Sequence, residues 1–158
     1  MDAQQLAERL LEGVDRVAEI ATLGETDLAK SYNKGKWTGT QLIAHLADAA
    51  AVFHVRICYG LAEPGATVFS FDENKWVAEL GAAERPLEIS IGLITATTEA
   101  IAHLLRSTPA ARLSSGHVLK DGKRITVLEM AEKVATHMEH HLEQLEAIRD
   151  GRTWTKKA

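Results

Sequence analysis

Three of the seven histidines, His137, His140 and His141, lie within five residues near the C-terminal end of the sequence. Residues four apart are neighbours on a helix, so His137 and His141 can present their imidazoles to one metal ion. The pair lacks the glutamate of the H-E-x-x-H metalloprotease pattern, because Met138 follows His137. Two interior histidines with ordinary hydrogen bonds would show the same spacing. The pair alone is therefore a weak indication of metal binding.

A third candidate ligand, His45, interrupts an otherwise aliphatic helical stripe that contains Leu42, Ala49, Val52 and Phe53. An imidazole buried in such a stripe needs either a hydrogen bond or a metal. Metal sites of helical bundles are built between facing helices, and three neutral imidazoles leave positions open for water or substrate. We expect zinc or nickel at such a site, while iron and manganese also accept imidazole.

Two other polar residues share the helix of His45. Asp48 lies three residues further on and is a candidate catalytic base; the alternative is a solvated carboxylate. Arg56 is a candidate for receiving an anionic group of the substrate; the alternative is a surface ion pair. The other histidines are not expected to bind the metal. We expect His140 at the pocket rim or in solvent, and either surface positions or structural roles for His54, His103 and His117. Cys58 is expected to act as a small apolar side chain.

Helical periodicity predicts the elements that must position these residues. Long helices are expected over about residues 3–23, from the Thr38 capping box to about Gly60, and over about 87–107 and 127–150. A short helix is expected over about 73–82, and Asp121-Gly122 between two β-prone arms predicts a hairpin. The fold class predicted is all-α: a four-helix bundle with a short extra helix and a small β-hairpin before the last helix.

Length and composition restrict the class of protein. The 158 residues are 46% hydrophobic and 25% charged, which predicts one soluble globular domain over residues 1–158. The single cysteine, Cys58, excludes an internal disulfide framework. The net charge of −4 and the lack of a Lys/Arg-rich run argue against a nucleic-acid partner. The sequence has no uncharged apolar run of about 18 residues and carries Asp2 and Glu8 near its start, so we expect no membrane association and a cytoplasmic location.

Three segments resemble the DinB-like superfamily, and in particular its YfiT-type group, whose members are named as metal-dependent hydrolases. Trp37-Thr38-x-x-Gln41 followed by His45-Leu-Ala-Asp48 resembles the second-helix motif of the family. The segment 71–76 resembles the group's Y-D-E-x-x-W stretch, although Phe71 stands where tyrosine is common, which removes a hydroxyl. The closing segment matches in the same order, with Thr126-x-x-Glu129-Met130 and then His137-x-x-His140-His141-x-x-Gln144-Leu145.

The resemblance implies a bundle in up-down-down-up order and a divalent metal held by His45, His137 and His141. Members of the superfamily are often dimers, and some are transferases or isomerases that use a small thiol such as mycothiol, bacillithiol or glutathione. We therefore expect a homodimeric, hydrolase-like metal-dependent enzyme that activates water or a thiol on a small-molecule substrate. The alternatives are a thiol-dependent S-transferase or isomerase, a non-catalytic metal-stabilised binding module, and a metal-free helical dimer.

Overall fold

The computed structural model describes residues 1–156 and contains four long helices, three short ones and one hairpin within that part of the chain. The fold is the predicted four-helix bundle in up-down-down-up order, with the hairpin directly before the last helix. In chain order the elements are α1 (Ala3–Ala21), α2 (Glu25–Leu28), α3 (Gly39–Ala62), α4 (Glu73–Glu79), α5 (Leu87–Ser107), α6 (Ala110–Leu113), β1 (Gly116–Val118), β2 (Arg124–Thr126) and α7 (Val127–Arg149).

The long helices pack so that α1 and α3 each contact both α5 and α7. Helices α3 and α5 are adjacent and parallel, so the chain must return along the bundle between them. The connection 63–86, which includes α4, makes this return. Helix α4 packs on α3 as a result, and its first turn lies beside the N-terminal half of that helix.

Side-chain caps fix where the site-bearing helices begin. Thr38 and Gln41 form a reciprocal capping box at the start of α3, and Thr126 and Glu129 form another at the start of α7, as their spacing predicts. The side chain of Asp72 caps α4 by accepting from the backbone N–H of Lys75 at 3.0 Å. These caps set the register of the helices and therefore the direction of the side chains that follow.

Several boundaries differ from the prediction. Helix α1 ends at Ala21 rather than near residue 23, because the Thr22 hydroxyl donates to the carbonyl of Glu19 and Gly24 has a positive φ of 81°. Helix α3 continues through Gly60 to Ala62, since the left-handed turn comes only at Gly65, with φ 90°. The four-residue helices α2 and α6 were not predicted, because so short a segment shows no helical periodicity.

The core lies between the four long helices and is almost entirely aliphatic, with Leu10, Leu42, Ile94 and Leu145 fully buried. Helix α3 is long and apolar enough to cross a membrane by composition, but 67% of its most apolar window is buried inside the bundle. That burial is expected of the central helix of a bundle. Among residues 1–156, seven polar side chains are buried, and three of them are histidines: His45, His117 and His141.

Candidate metal centre

The two facing helices α3 and α7 bring His45, His137 and His141 together. Candidate ligand atoms from the three side chains all lie within 4.8 Å of one another, and Nε2 of His45 is 3.1 Å from Nε2 of His137. In a tetrahedral zinc site with Zn–N distances of about 2.0–2.1 Å, ligand nitrogens are about 3.3 Å apart. The separations therefore allow the three imidazoles to hold one small divalent ion.

The protonation state of the three imidazoles also suits a metal. Burial lowers the pKa of His45 to about 3, of His137 to about 2 and of His141 to about 4. The neighbouring imidazoles lower the pKa of His45 and His137 further, because two adjacent imidazolium charges repel. All three side chains are thus neutral near pH 7, and a neutral imidazole offers the lone pair that a metal needs.

Gln144 determines which nitrogen of His141 faces the cluster. The Nδ1–H of His141 donates to Oε1 of Gln144 at 2.8 Å, and an amide oxygen can only accept. The proton therefore sits on Nδ1, which leaves the Nε2 lone pair of His141 free for a metal. The amide nitrogen of Gln144 donates in turn to Nε2 of His140 at 3.2 Å. A hydrogen-bonded outer residue of this kind holds a ligand ring in orientation.

Aromatic rings enclose the cluster. The ring centroid of Trp37 lies 4.9 Å from that of His45 and 6.2 Å from that of His141. Phe53 lies against His137 at 5.8 Å. These rings exclude water from two sides, which lowers the local dielectric and strengthens electrostatic interactions within the site.

The open side of the cluster faces a cavity of about 440 Å³. Its lining includes Tyr32, Lys36 and Trp37 from the segment before α3, Glu73 and Asn74 from α4, and His137, His140, His141 and Gln144 from α7. His140 thus lies at the cavity rim. A volume of this size accommodates a small organic molecule.

Glu73 reaches towards the histidines from the first residue of α4. Its two carboxylate oxygens lie 4.0 Å from Nε2 of His45 and 3.9 Å from Nε2 of His137, too far for direct hydrogen bonds. Burial raises the pKa of Glu73, while the positive charges of Arg56 and Lys133 lower it. The family resemblance includes Glu73 within the 71–76 segment but does not imply a role for it. The available signal was its place directly after Asp72, the residue that caps α4.

Asp48 and Arg56 are not brought into the cavity beside the histidines. The Asp48 carboxylate accepts two hydrogen bonds from the guanidinium of Arg85, at 2.7 and 3.0 Å. Arg56 is buried rather than in a surface ion pair, and its Nη2 donates to the carbonyl of Phe69 at 2.8 Å. His117, for which we expected a surface position or a structural role, is fully buried in β1.

The segment after α7 docks beside the rim of the cavity, a contact that the sequence did not predict. Trp154 packs edge-on against His140 at 5.0 Å and against Tyr32 at 5.8 Å between ring centroids. Its indole N–H donates to Glu143 at 3.1 Å, and its backbone carbonyl accepts from the Asn33 amide at 2.6 Å. One isolated tryptophan among polar residues carries no pattern from which this docking follows.

Comparisons with known proteins identify the family of this chain. The DinB superfamily matches residues 4–145, and the chain belongs to that superfamily. A protein of Oceanobacillus iheyensis named "Putative metal-dependent hydrolase OB0413" is 30% identical over 123 residues, covering 78% of this chain and 70% of the relative. A protein of Halalkalibacterium halodurans named "Putative metal-dependent hydrolase BH0277" is 28% identical over 129 residues, covering 82% of this chain and 75% of the relative.

Two solved structures share the fold. The structure of YfiT from Bacillus subtilis, described as "a probable metal-dependent hydrolase with an unusual four-helix bundle topology", superposes with a TM-score of 0.87 at 21% identity. The superposition covers 96% of this chain and 89% of YfiT. The mycothiol-dependent maleylpyruvate isomerase superposes with a TM-score of 0.72 at 15% identity over 92% of this chain, which corresponds to 61% of the isomerase.

Proposed function

We propose that this protein is a metal-dependent enzyme that uses a divalent ion held by His45, His137 and His141 to activate water or a thiol on a small-molecule substrate. The observation that carries the proposal is the cluster of three neutral, enclosed imidazoles opening on one side into a cavity of about 440 Å³. The relatives named as hydrolases support the same chemistry. Zinc or nickel is the proposed metal, with iron and manganese as the alternatives.

A divalent ion in this position would lower the pKa of a water or thiol bound to it towards neutrality. The protein's own residues supply the rest. Gln144 holds His141 in the tautomer that presents Nε2, and Trp37 and Phe53 keep bulk water from the flanks. Glu73 is the proposed proton acceptor, because its carboxylate lies on the open side about 4 Å from two ligand nitrogens. We assign this role to Glu73 and not to Asp48, whose carboxylate is engaged by Arg85.

The second candidate is a thiol-dependent S-transferase or isomerase, in which the activated nucleophile is a small thiol rather than water. The name of the mycothiol-dependent isomerase that shares this fold favours it. Both candidates require the same ion and the same proton acceptor. Substrate panels separate them: amides and esters test hydrolysis, and small thiols with electrophiles test transfer.

The decisive experiment combines elemental analysis with turnover on tag-free protein. We expect one divalent ion per chain in the natural protein, loss of the ion and of turnover in His45→Ala and His141→Ala, and retention of both in His103→Ala. His103 is a suitable control because it is an exposed histidine on α5, away from the cluster. Metal-free natural protein, or turnover that survives in His45→Ala, would overturn the proposal. Stoichiometric metal with no turnover on either panel would indicate the metal-stabilised binding module.

Two further properties are proposed from the sequence alone. A homodimer would elute from size-exclusion chromatography with light scattering at twice the chain mass. A cytoplasmic location would appear as recovery in the soluble fraction after cell fractionation, without release by osmotic shock.

A further inference from the structure

A second cavity, of about 300 Å³, lies beside the metal centre. The connection after α3, the hairpin turn and α7 form its walls, with Arg56, Ser70, Lys120 and Lys133 among the lining residues. Phe53 separates it from the histidines. The centroid of that ring is 5.7 Å from the guanidinium carbon of Arg56 and 5.8 Å from the ring centroid of His137.

The charge of this cavity is positive, although the protein carries a net charge of −4. Three cationic side chains line it, from Arg56, Lys120 and Lys133, against one carboxylate from Asp121. The Asp121 carboxylate is already engaged, since it accepts the backbone N–H of Lys123 at 3.0 Å in the hairpin turn. Within residues 1–156, neither Lys120 nor Lys133 forms an ion pair with a carboxylate. The lining of the cavity therefore has a net positive charge. The carboxylate of Glu73 lies outside the lining and acts on Arg56 and Lys133 from a distance, without an ion pair to either within residues 1–156.

Arg56 is the lining residue whose side chain is held in place by burial and by a hydrogen bond. The residue is about nine-tenths buried, and the single hydrogen bond of its side chain to the described residues runs from Nη2 to the Phe69 carbonyl. Its Nε is buried without a partner in the described part of the chain. A guanidinium presents five N–H donors in a planar fork that matches carboxylate and phosphate oxygens. Burial of a cation with unused hydrogen-bond donors costs free energy unless an anion pairs with it and accepts those hydrogen bonds.

One cationic residue, Lys133, connects this cavity to the histidines through a surface depression of mixed charge, which Glu129, Glu132 and Lys156 also line. Lys133 lies one helical turn before His137 on α7, and both residues line a shared surface depression with Thr136. A molecule with an anionic end at Arg56 and Lys133 would therefore extend past the edge of Phe53 towards the histidines.

We propose that this second cavity is an anion-binding subsite, which receives the carboxylate or phosphate group of the molecule whose reactive end reaches the three-histidine cluster. Its role in substrate binding rests on the proposed function, whereas anion binding itself does not. The shared chemistry of the ligand is a planar or tetrahedral group of anionic oxygens that pairs with a guanidinium and two ammonium groups.

The experiment titrates metal-free and zinc-loaded protein with inorganic phosphate and, separately, with succinate, by calorimetry at constant ionic strength. The test variant is Lys120→Gln with Lys133→Gln. The matched control is Lys75→Gln with Lys123→Gln, which removes the same charge from exposed lysines outside the cavity. We expect the test variant to bind about tenfold more weakly than the natural protein, and the control to change less than about twofold. Arg56→Lys, which keeps the charge and loses the fork, is expected to weaken binding as well.

Equal weakening in the test and control pairs would overturn the subsite, since it would show only a general effect of net charge. Absence of binding of both anions to the natural protein would also overturn it. The Lys120 and Lys133 variant keeps the test decisive if Arg56→Lys does not fold. The tighter of the two anions assigns the group as phosphate or carboxylate. Anion binding by a protein that holds no stoichiometric metal would support the subsite while overturning the proposed function.

Discussion

Replacing Gln144 by methionine tests whether an outer residue controls the metal centre. Methionine has nearly the same length as glutamine, but its thioether sulfur is only a weak acceptor for the Nδ1–H of His141, which Gln144 now accepts at 2.8 Å. Both residues are buried, with Gln144 at 3% exposure and His141 at 6%, so water does not readily replace the lost acceptor. The His141 ring would then be free to rotate or to carry its proton on Nε2, the nitrogen that faces the cluster.

The size of the effect follows from the loss of one buried hydrogen bond. A buried donor left without a partner costs about 1–3 kcal/mol. Loss of an outer residue at a metal site typically weakens metal affinity by about 10–100-fold, which is about 1.4–2.7 kcal/mol. The two magnitudes agree, and we expect Gln144→Met to bind zinc about 10–100-fold more weakly than the natural protein.

The assay is competition with a chelating dye, accompanied by urea unfolding of the metal-free protein. Gln144→Glu retains an acceptor for Nδ1–H and is expected to keep zinc affinity within about tenfold of the natural protein. Gln4→Met is the matched control, because Gln4 is exposed on α1. Unchanged zinc affinity in a folded Gln144→Met protein would refute the assignment of Gln144 as the residue that orients His141.

Three other perturbations test the rest of the site. Glu73→Gln is expected to lower turnover about 100-fold or more while zinc stoichiometry stays the same, and undiminished turnover would exclude Glu73 as the proton acceptor. Asp48→Asn is expected to lower the free energy of unfolding by about 1–3 kcal/mol in urea, because it breaks the pairing of this carboxylate with Arg85, and to leave turnover within about threefold. A 100-fold loss of turnover would instead identify Asp48 as a catalytic residue. In metal-free protein, the folded-state pKa values of about 3, 2 and 4 lie below the unfolded value of about 6.5, so the unfolded state binds more protons as the pH falls. The contribution of these histidines to the free energy of unfolding should therefore be complete above pH 6.5 and should fall by up to about 4 kcal/mol per pH unit between pH 6 and pH 4. His103→Ala, which removes an exposed histidine, is the control. A free energy of unfolding that does not change between pH 6 and pH 4 would contradict burial of neutral imidazoles.

The parts of the site that repeat with helical periodicity were predictable from the sequence. His137 and His141 share one face of a long helix, and His45 interrupts an aliphatic stripe, so both helices and the facing of their histidines followed from local pattern. The capping boxes at Thr38 and Thr126 marked the helix starts for the same reason, since each is a contact between residues three apart.

The parts that depend on distant partners were not predictable. Asp48 has the spacing of a residue beside His45, but Arg85, 37 residues further on, takes its carboxylate. Glu73 reaches the histidines only because α4 folds back onto α3, and a seven-residue helix gives no sign of where it docks. Arg56 was expected either to form a surface ion pair or to bind an anionic group of the substrate. It is buried instead, and its guanidinium donates to the carbonyl of Phe69, which lies in a connection without periodicity.

The docking of Trp154 at the cavity rim has a practical consequence for how the protein is handled. Residues 152–155 lie against α7, next to His140 and Glu143, and so bring the C-terminal part of the described chain close to the mouth of the cavity. A polyhistidine tag at that end would bring several additional imidazoles close to the proposed metal site, where they would compete with His45, His137 and His141 for a divalent ion. Metal content and affinity measured on such a fusion would report on the tag as much as on the bundle, whereas a cleavable tag before Met1 leaves the rim intact.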